Sequence, residues 1–165
     1  GLSSPDRLPP LPPTLTTLIL SHNPIQGLPE HMETLSVTLT VLTMENCSLS
    51  EVPPVLWRLT ALSELVLNGN QIQALAEEGT SCLENLEVLS LKGNRIGRDG
   101  LPDTLFVLPR LTRVNLHDNP LTVAEVRQVS GFEEYEERLR LLRDKQMRGG
   151  AMLDFSLCGL DEERK

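Results

Sequence analysis

The sequence predicts an α/β protein: a right-handed solenoid (horseshoe) with a parallel sheet on its concave face and a helical C-terminal cap. Three observations predict it. An eleven-residue pattern, clearest from Leu62 to Ile72, places apolar residues at positions one, four, six and eleven and an asparagine at nine. The pattern recurs with starts at Leu15, Leu39, Leu62, Leu86 and Leu111, which are 24, 23, 24 and 25 residues apart. A fixed period in this range marks stacked structural repeats. After Leu121 the period stops, and apolar residues at helical spacing replace it.

Each coil follows from elementary geometry. Side chains alternate along a strand, so positions four and six share a face and point into the coil. These are Leu18 and Leu20, Leu42 and Met44, Leu65 and Leu67, Leu89 and Leu91, and Val114 and Leu116. Positions one and eleven close the coil. The polar exception at nine is Asn23, Asn70, Asn94 and Asn119, with Cys47 in the second coil. A carboxamide has donors and acceptors for turn backbone groups that would otherwise be buried unpaired. A thiol bonds weakly, so the coil of Cys47 is expected to be less well held.

The connecting segments have a pattern of their own. Val52 to Leu59 and Leu101 to Leu108 both read apolar, Pro, two others, Leu, two others, Leu; Leu28 to Leu35 is similar, and Leu75 to Leu86 is looser. Leucines three apart suit one turn of α- or 3₁₀-helix on the outer wall. Gly97-Arg98-Asp99-Gly100 is two residues longer than its counterparts and predicts a small bulging loop.

These patterns together resemble the leucine-rich repeat. The Leu-Pro variant looks like the intracellular class, which includes plant and animal proteins related to Ras-pathway scaffolds. Bacterial effectors use coils of roughly 20 residues and fit less well. Gly131 to Arg138, with Gly159-Leu160-Asp161-Glu162, is similar to the ends of small intracellular proteins of this family. The resemblance implies a soluble, scaffold-like protein and names no ligand.

The expected layout is a solenoid over residues 1–121 (about five repeats plus a truncated N-terminal one), a cap over 122–148 and a flexible tail over 149–165. The Pro-rich start, Leu8 to Pro13, reads as the end of the truncated repeat or as a ligand for a Pro-binding domain. In the cap, Thr122 and Glu125 form a capping box, with Leu121 and Val126 as a hydrophobic staple, and Ser130 and Glu133 offer a second box. Phe132, Tyr135, Leu139 and Leu142 share a helix face, and Glu134–Arg138 and Glu136–Arg140 are i,i+4 pairs. A cap is expected because the last coil of a solenoid has an apolar edge that must be covered.

Composition narrows the function. The chain has 165 residues, with 15 Lys and Arg against 23 Asp and Glu, a net charge of −8. An acidic chain repels phosphate backbones, so nucleic acid is not an expected partner. No run of about 18 apolar residues is present, so no membrane insertion is expected. No signal peptide is visible, although the sequence starts at Gly1 rather than Met and leaves room for a preceding portion. Cys47, Cys82 and Cys158 are an odd, scattered set, which favours a reducing compartment, the cytoplasm, with cytoskeletal or ciliary sites as variants. Asn46-Cys47-Ser48 matches a glycosylation acceptor in form only.

No enzyme is expected, and no catalytic, cofactor or metal residue. His22 and His117 fall at opposite ends of the array, four strand steps or roughly 19 Å apart. No Cys-x-x-Cys, His-Glu-x-x-His or Gly-rich phosphate loop occurs. What remains is surface. Positions three, five and seven face outward on the sheet side: Thr17, Ile19 and Ser21; Val41, Thr43 and Glu45; Glu64, Val66 and Asn68; Val88, Ser90 and Lys92; Arg113, Asn115 and His117. Among them Ile19, Val41, Val66 and Val88 are expected to form an apolar band. Trp57, the single tryptophan, falls on the outer wall as a convex docking candidate. The expectation is a monomeric protein-binding scaffold acting through the concave sheet, with a small GTPase as one candidate partner. Its alternatives are a structural subunit of a cytoskeletal or ciliary assembly and a regulatory or adaptor subunit of an enzyme complex.

Overall fold

The structure, a computed structural model, describes residues 8–147. The tail expected over 149–165, with Cys158, and residues 1–7, which precede the Pro-rich Leu8 to Pro13, lie outside the described residues. Five short strands, β1 (Thr17–Ile19), β2 (Val41–Thr43), β3 (Glu64–Val66), β4 (Val88–Ser90) and β5 (Arg113–Asn115), form one sheet in sequential order. All four pairings are parallel. The register aligns equivalent positions of successive coils: Leu18, Leu42, Leu65, Leu89 and Val114 stand side by side at position four. Beyond the strands the ladder continues, with Leu20 donating to the Thr43 carbonyl and His22 to the Glu45 carbonyl, both at 2.8 Å.

The core is the stacked set of positions one, four, six and eleven. In the inner coils these side chains are fully or almost fully buried, as with Leu39, Leu42, Met44 and Leu49. In the first coil Leu15 and Leu18 are only partly buried. After each strand the chain turns at position eight, where His22, Asn46, Gly69, Gly93 and Asp118 all have φ between 53° and 68°. Glycine enters this left-handed region freely, whereas a residue with a Cβ is strained there by about 1 kcal/mol or more. Asparagine and aspartate visit it more readily than most, which suits Asn46 and Asp118.

The asparagines at nine stitch the coils together. Asn94 accepts from the Ile72 amide at 3.1 Å and donates to the carbonyls of Leu67 and Leu91 at 2.9 and 2.8 Å. Asn70 does the same between Leu49 and Met44 of the coil before it. At Cys47 a thiol that donates to the Leu20 carbonyl at 3.3 Å takes the place of these bonds. Burial pushes this thiol's pKa up, so it stays protonated.

The outer wall carries 3₁₀-turns at Glu30–Leu35 and Pro54–Arg58 and one turn of α-helix, α1 (Glu77–Thr80), in the looser third connection. The Gly97–Gly100 insert is tied down at its Gly100 end, with Asp99 exposed. Arg98–Gly100 is a 3₁₀-turn, and Gly100 is buried with its carbonyl accepting from the Leu75 amide at 2.9 Å. The extra length is absorbed by packing against the previous coil, which gives its backbone a partner that an outward loop would find only in water.

The C-terminal edge is closed by α2 (Val123–Val126) and α3 (Phe132–Met147). The capping box forms: Thr122 donates its amide to Glu125 Oε2 at 2.8 Å, and Glu125 returns its own to Thr122 Oγ1 at 3.3 Å. Leu121 and Val126 are both buried. At α3 the expected Ser130–Glu133 box gives way to a different start. Gly131, at φ 75°, offers its carbonyl to the Tyr135 amide, while the Ser130 amide turns to Asp103. Phe132 and Tyr135 pack on Phe106 of the last outer-wall segment, with ring centroids 4.9 and 5.1 Å away. The i,i+4 pairs also give way. Arg138 lies over the Tyr135 ring and donates to the Phe106 carbonyl at 3.2 Å, and Arg140 pairs with Glu137. A guanidinium beside a helix-capping aromatic cluster gains more from a buried carbonyl and a ring face than from an exposed carboxylate.

Candidate interaction surface

The strand face is built from three rows of outward side chains, fixed by the sheet register. Position three runs Thr17, Val41, Glu64, Val88, Arg113, and position five runs Ile19, Thr43, Val66, Ser90, Asn115. Ser21, Glu45, Asn68, Lys92 and His117 follow at position seven. Equivalent side chains in neighbouring strands are about 4.8 Å apart. Most of these residues are half-buried by their neighbours; Thr17, Lys92, Arg113 and Ile19, the last 67% accessible, are exposed.

The expected apolar band is not a band. Val41 and Val88 belong to one row with Glu64 between them, and Ile19 and Val66 to the other with Thr43 between them. The four side chains therefore form a zigzag across two rows. Parity along a strand brings them to one face, but cross-strand register decides which stand side by side.

The rows differ in how their charges are held. At position seven the polar groups bond one another. Asn68 donates to Glu45 Oε1 at 2.7 Å and accepts from Ser90 Oγ at 2.7 Å and from the Lys92 amide at 3.0 Å. Lys92 and His117 both approach the Asp118 carboxylate, at 3.7 and 3.2 Å. Asn68 is thus a bridge across three strands, a role its sequence position does not announce. At position three, Glu64 and Arg113 make no side-chain hydrogen bond or ion pair among the described residues.

Other candidates are set apart from this surface. Trp57 is half-buried on the outer wall, its ring lying on Gly79 of α1 so closely that a Cβ there would come within 2.5 Å of it. Sequence gives no sign of this contact, because it joins residues of two different coils. His22 follows β1 and His117 follows β5, and His31 is exposed on the first outer-wall turn. Among the described residues no three His, Cys, Asp or Glu side chains converge as a metal site. No helix among them is long and apolar enough to cross a membrane.

Comparison with known proteins agrees with this architecture. The family described as "Leucine rich repeat" matches residues 13–72, 37–96 and 60–121, which together span well over half of the chain. Chaoptin of Drosophila melanogaster is 33% identical over 77% of this chain and 9% of its own length. The geranylgeranyl transferase type-2 subunit alpha of Sus scrofa is 37% identical over 57% of this chain and 16% of its own. The plant intracellular Ras-group-related LRR protein 8 of Oryza sativa subsp. japonica is 29% identical over 60% of this chain and 26% of its own. The chain thus spans between 9% and 26% of the lengths of these relatives. Among solved structures, an internalin of Listeria monocytogenes superposes with a TM-score of 0.60 at 26% identity, covering 72% of this chain and 34% of the internalin chain.

Proposed function

The chain belongs to the leucine-rich-repeat family, and from that premise we propose that it is a non-enzymatic scaffold that holds a protein partner on its concave sheet. The observation that carries the reading is the strand face itself. Fifteen outward positions in three rows are presented by a backbone hydrogen-bonded on every inner strand. A rigid surface loses little entropy on binding, and this lowers the cost of association. Solenoids with open concave sheets use them in this way. The name of the rice relative supports a small GTPase as the first partner to try and supports a proposed site of action inside the cell. The free thiols of Cys47 and Cys82 fit a reducing compartment. The isolated chain is proposed to be a monomer.

Val66 tests the reading. It sits at the centre of the sheet, half-buried and outside the core, whereas Leu67, the next residue, is fully buried. Val66→Arg should leave the melting temperature close to wild type and sharply reduce partner recovery in affinity purification from the native source. Leu67→Arg should unfold the coil. A Val66→Arg protein that melts like wild type and still recovers every partner normally would show that the concave face is not the contact.

A second reading has its own observation. The similarity to a transferase subunit supports an adaptor or regulatory role within an enzyme complex. Co-purification with an enzyme at fixed stoichiometry, rather than transient recovery, separates it from the scaffold reading and from a structural role in a larger assembly.

A further inference from the structure

We infer that the partner element on the concave face is an amphipathic helix lying across the strands, with a basic residue against Glu64 and an acidic residue against Arg113. This deepens the concave-face reading and rests on it.

The inference starts from the unequal treatment of charge in the rows. At position seven Glu45 is held by Asn68, and Lys92 by Asp118. At position three Glu64 and Arg113 are left without a partner among the described residues, although Glu64 is half-buried between two valines in register with it. They do not pair with each other: Val88 stands between them, and two strand steps separate their backbones by about 10 Å. A carboxylate flanked by Val41 and Val88 resists a purely apolar partner, since covering it would strip its water without replacement. It accepts a surface that brings an ammonium or guanidinium to the same place.

The spacing selects the shape of that surface. Val41, Glu64, Val88 and Arg113 step across the sheet at about 4.8 Å each, a run of about 14 Å. On a helix, residues three and four apart share a face and climb about 5 Å per step at 1.5 Å per residue, so four of them span about 16 Å. Same-face side chains of an extended chain are about 6.6 Å apart, and four would span about 20 Å. The helix stays in step with the row and the extended chain does not. The fitting pattern is apolar, basic, apolar, acidic at i, i+3 or i+4, i+7, and i+10 or i+11. The order of the two charges fixes which way the helix points.

The test is selection from a displayed library of helical peptides against the purified 165-residue chain, with Glu64→Lys, Glu64→Gln and Val66→Arg as variants and circular dichroism melts as folding controls. Enriched peptides should carry Lys or Arg and, seven positions away, Asp or Glu. Glu64→Lys should weaken their binding about tenfold or more, and changing the peptide's basic residue to Glu should restore it. Peptides that lose binding to Val66→Arg but ignore Glu64→Lys would overturn this inference and leave the concave-face reading standing. Peptides indifferent to both variants would overturn both, and a library without enrichment would overturn this inference alone.

Discussion

Ile25 donates its amide to the Asn23 carbonyl at 2.8 Å, whereas the equivalent amides of Leu49, Ile72 and Ile96 each donate to an asparagine side chain of the next coil. The difference is Cys47. A thiol has no carbonyl oxygen to offer, so Ile25 closes on its own turn. Asn70→Ala strips the side-chain partner from the amides of Cys47 and Leu49 and the carbonyl of Met44 at once, while the Leu67 carbonyl keeps its bond from Asn94. It is expected to cost about 3 kcal/mol or more, because each buried group left unsatisfied costs roughly 1 kcal/mol or above. Cys47→Ala should cost less than half as much. Urea unfolding of the two variants measures this, and equal losses would remove the ladder as the explanation.

The cap is expected to hold the last coil in place through its aromatic cluster. Phe132 is buried and meets Phe106 edge to face at 4.9 Å. Phe132→Ala should destabilise the protein by about 3–5 kcal/mol, the usual cost of truncating a packed phenylalanine. Removal of residues 122–148 exposes the apolar edge of the last coil and should give an aggregating or dye-binding molten product. A soluble truncation that melts cooperatively would count against the proposed cap.

Trp57 reports on the outer wall. Its ring occupies the space that a Cβ at Gly79 would need. Gly79→Ala must therefore displace the indole, with a loss of about 1–3 kcal/mol typical of overpacking. Because the chain has one tryptophan, its emission should shift to the red and become more accessible to iodide. Unchanged emission in a folded variant would contradict the packing described for this ring.

The capping box gives a pH signature. Hydrogen bonds from the Thr122 backbone and side chain hold the Glu125 pKa below its usual value. A lowered folded pKa means that the cap's contribution is fully present above the unfolded value of about 4.3. It is lost as the pH falls through the lower folded value. Glu125→Gln keeps a side chain of the same shape and does not titrate. The stability difference between wild type and this variant should stay constant from neutral pH down to about 5 and shrink below about 4. A difference independent of pH would show that Glu125 charge has no part in the cap.

The repeat could be read from the sequence because its signal is local and periodic. Residues one, four, six, nine and eleven of each coil, and the parity that puts Val66 outside and Leu67 inside, follow from side-chain alternation alone. The start of α2 was legible for the same reason, since Thr122 and Glu125 are three residues apart. What only the tertiary structure decided are contacts between coils, where partners lie more than 20 residues apart. Val41 faces Glu64 rather than Val66 because of cross-strand register. Gly100 turns inward because the preceding coil offers an amide at Leu75. Arg138 bonds the Phe106 carbonyl, 32 residues away, instead of Glu134 on its own helix. Asn68 joins Glu45 to Ser90 across three strands. Periodicity fixes which way a side chain points, but its neighbours are set by how one coil stacks on the next, and that is where the charges at Glu64 and Arg113 were left open.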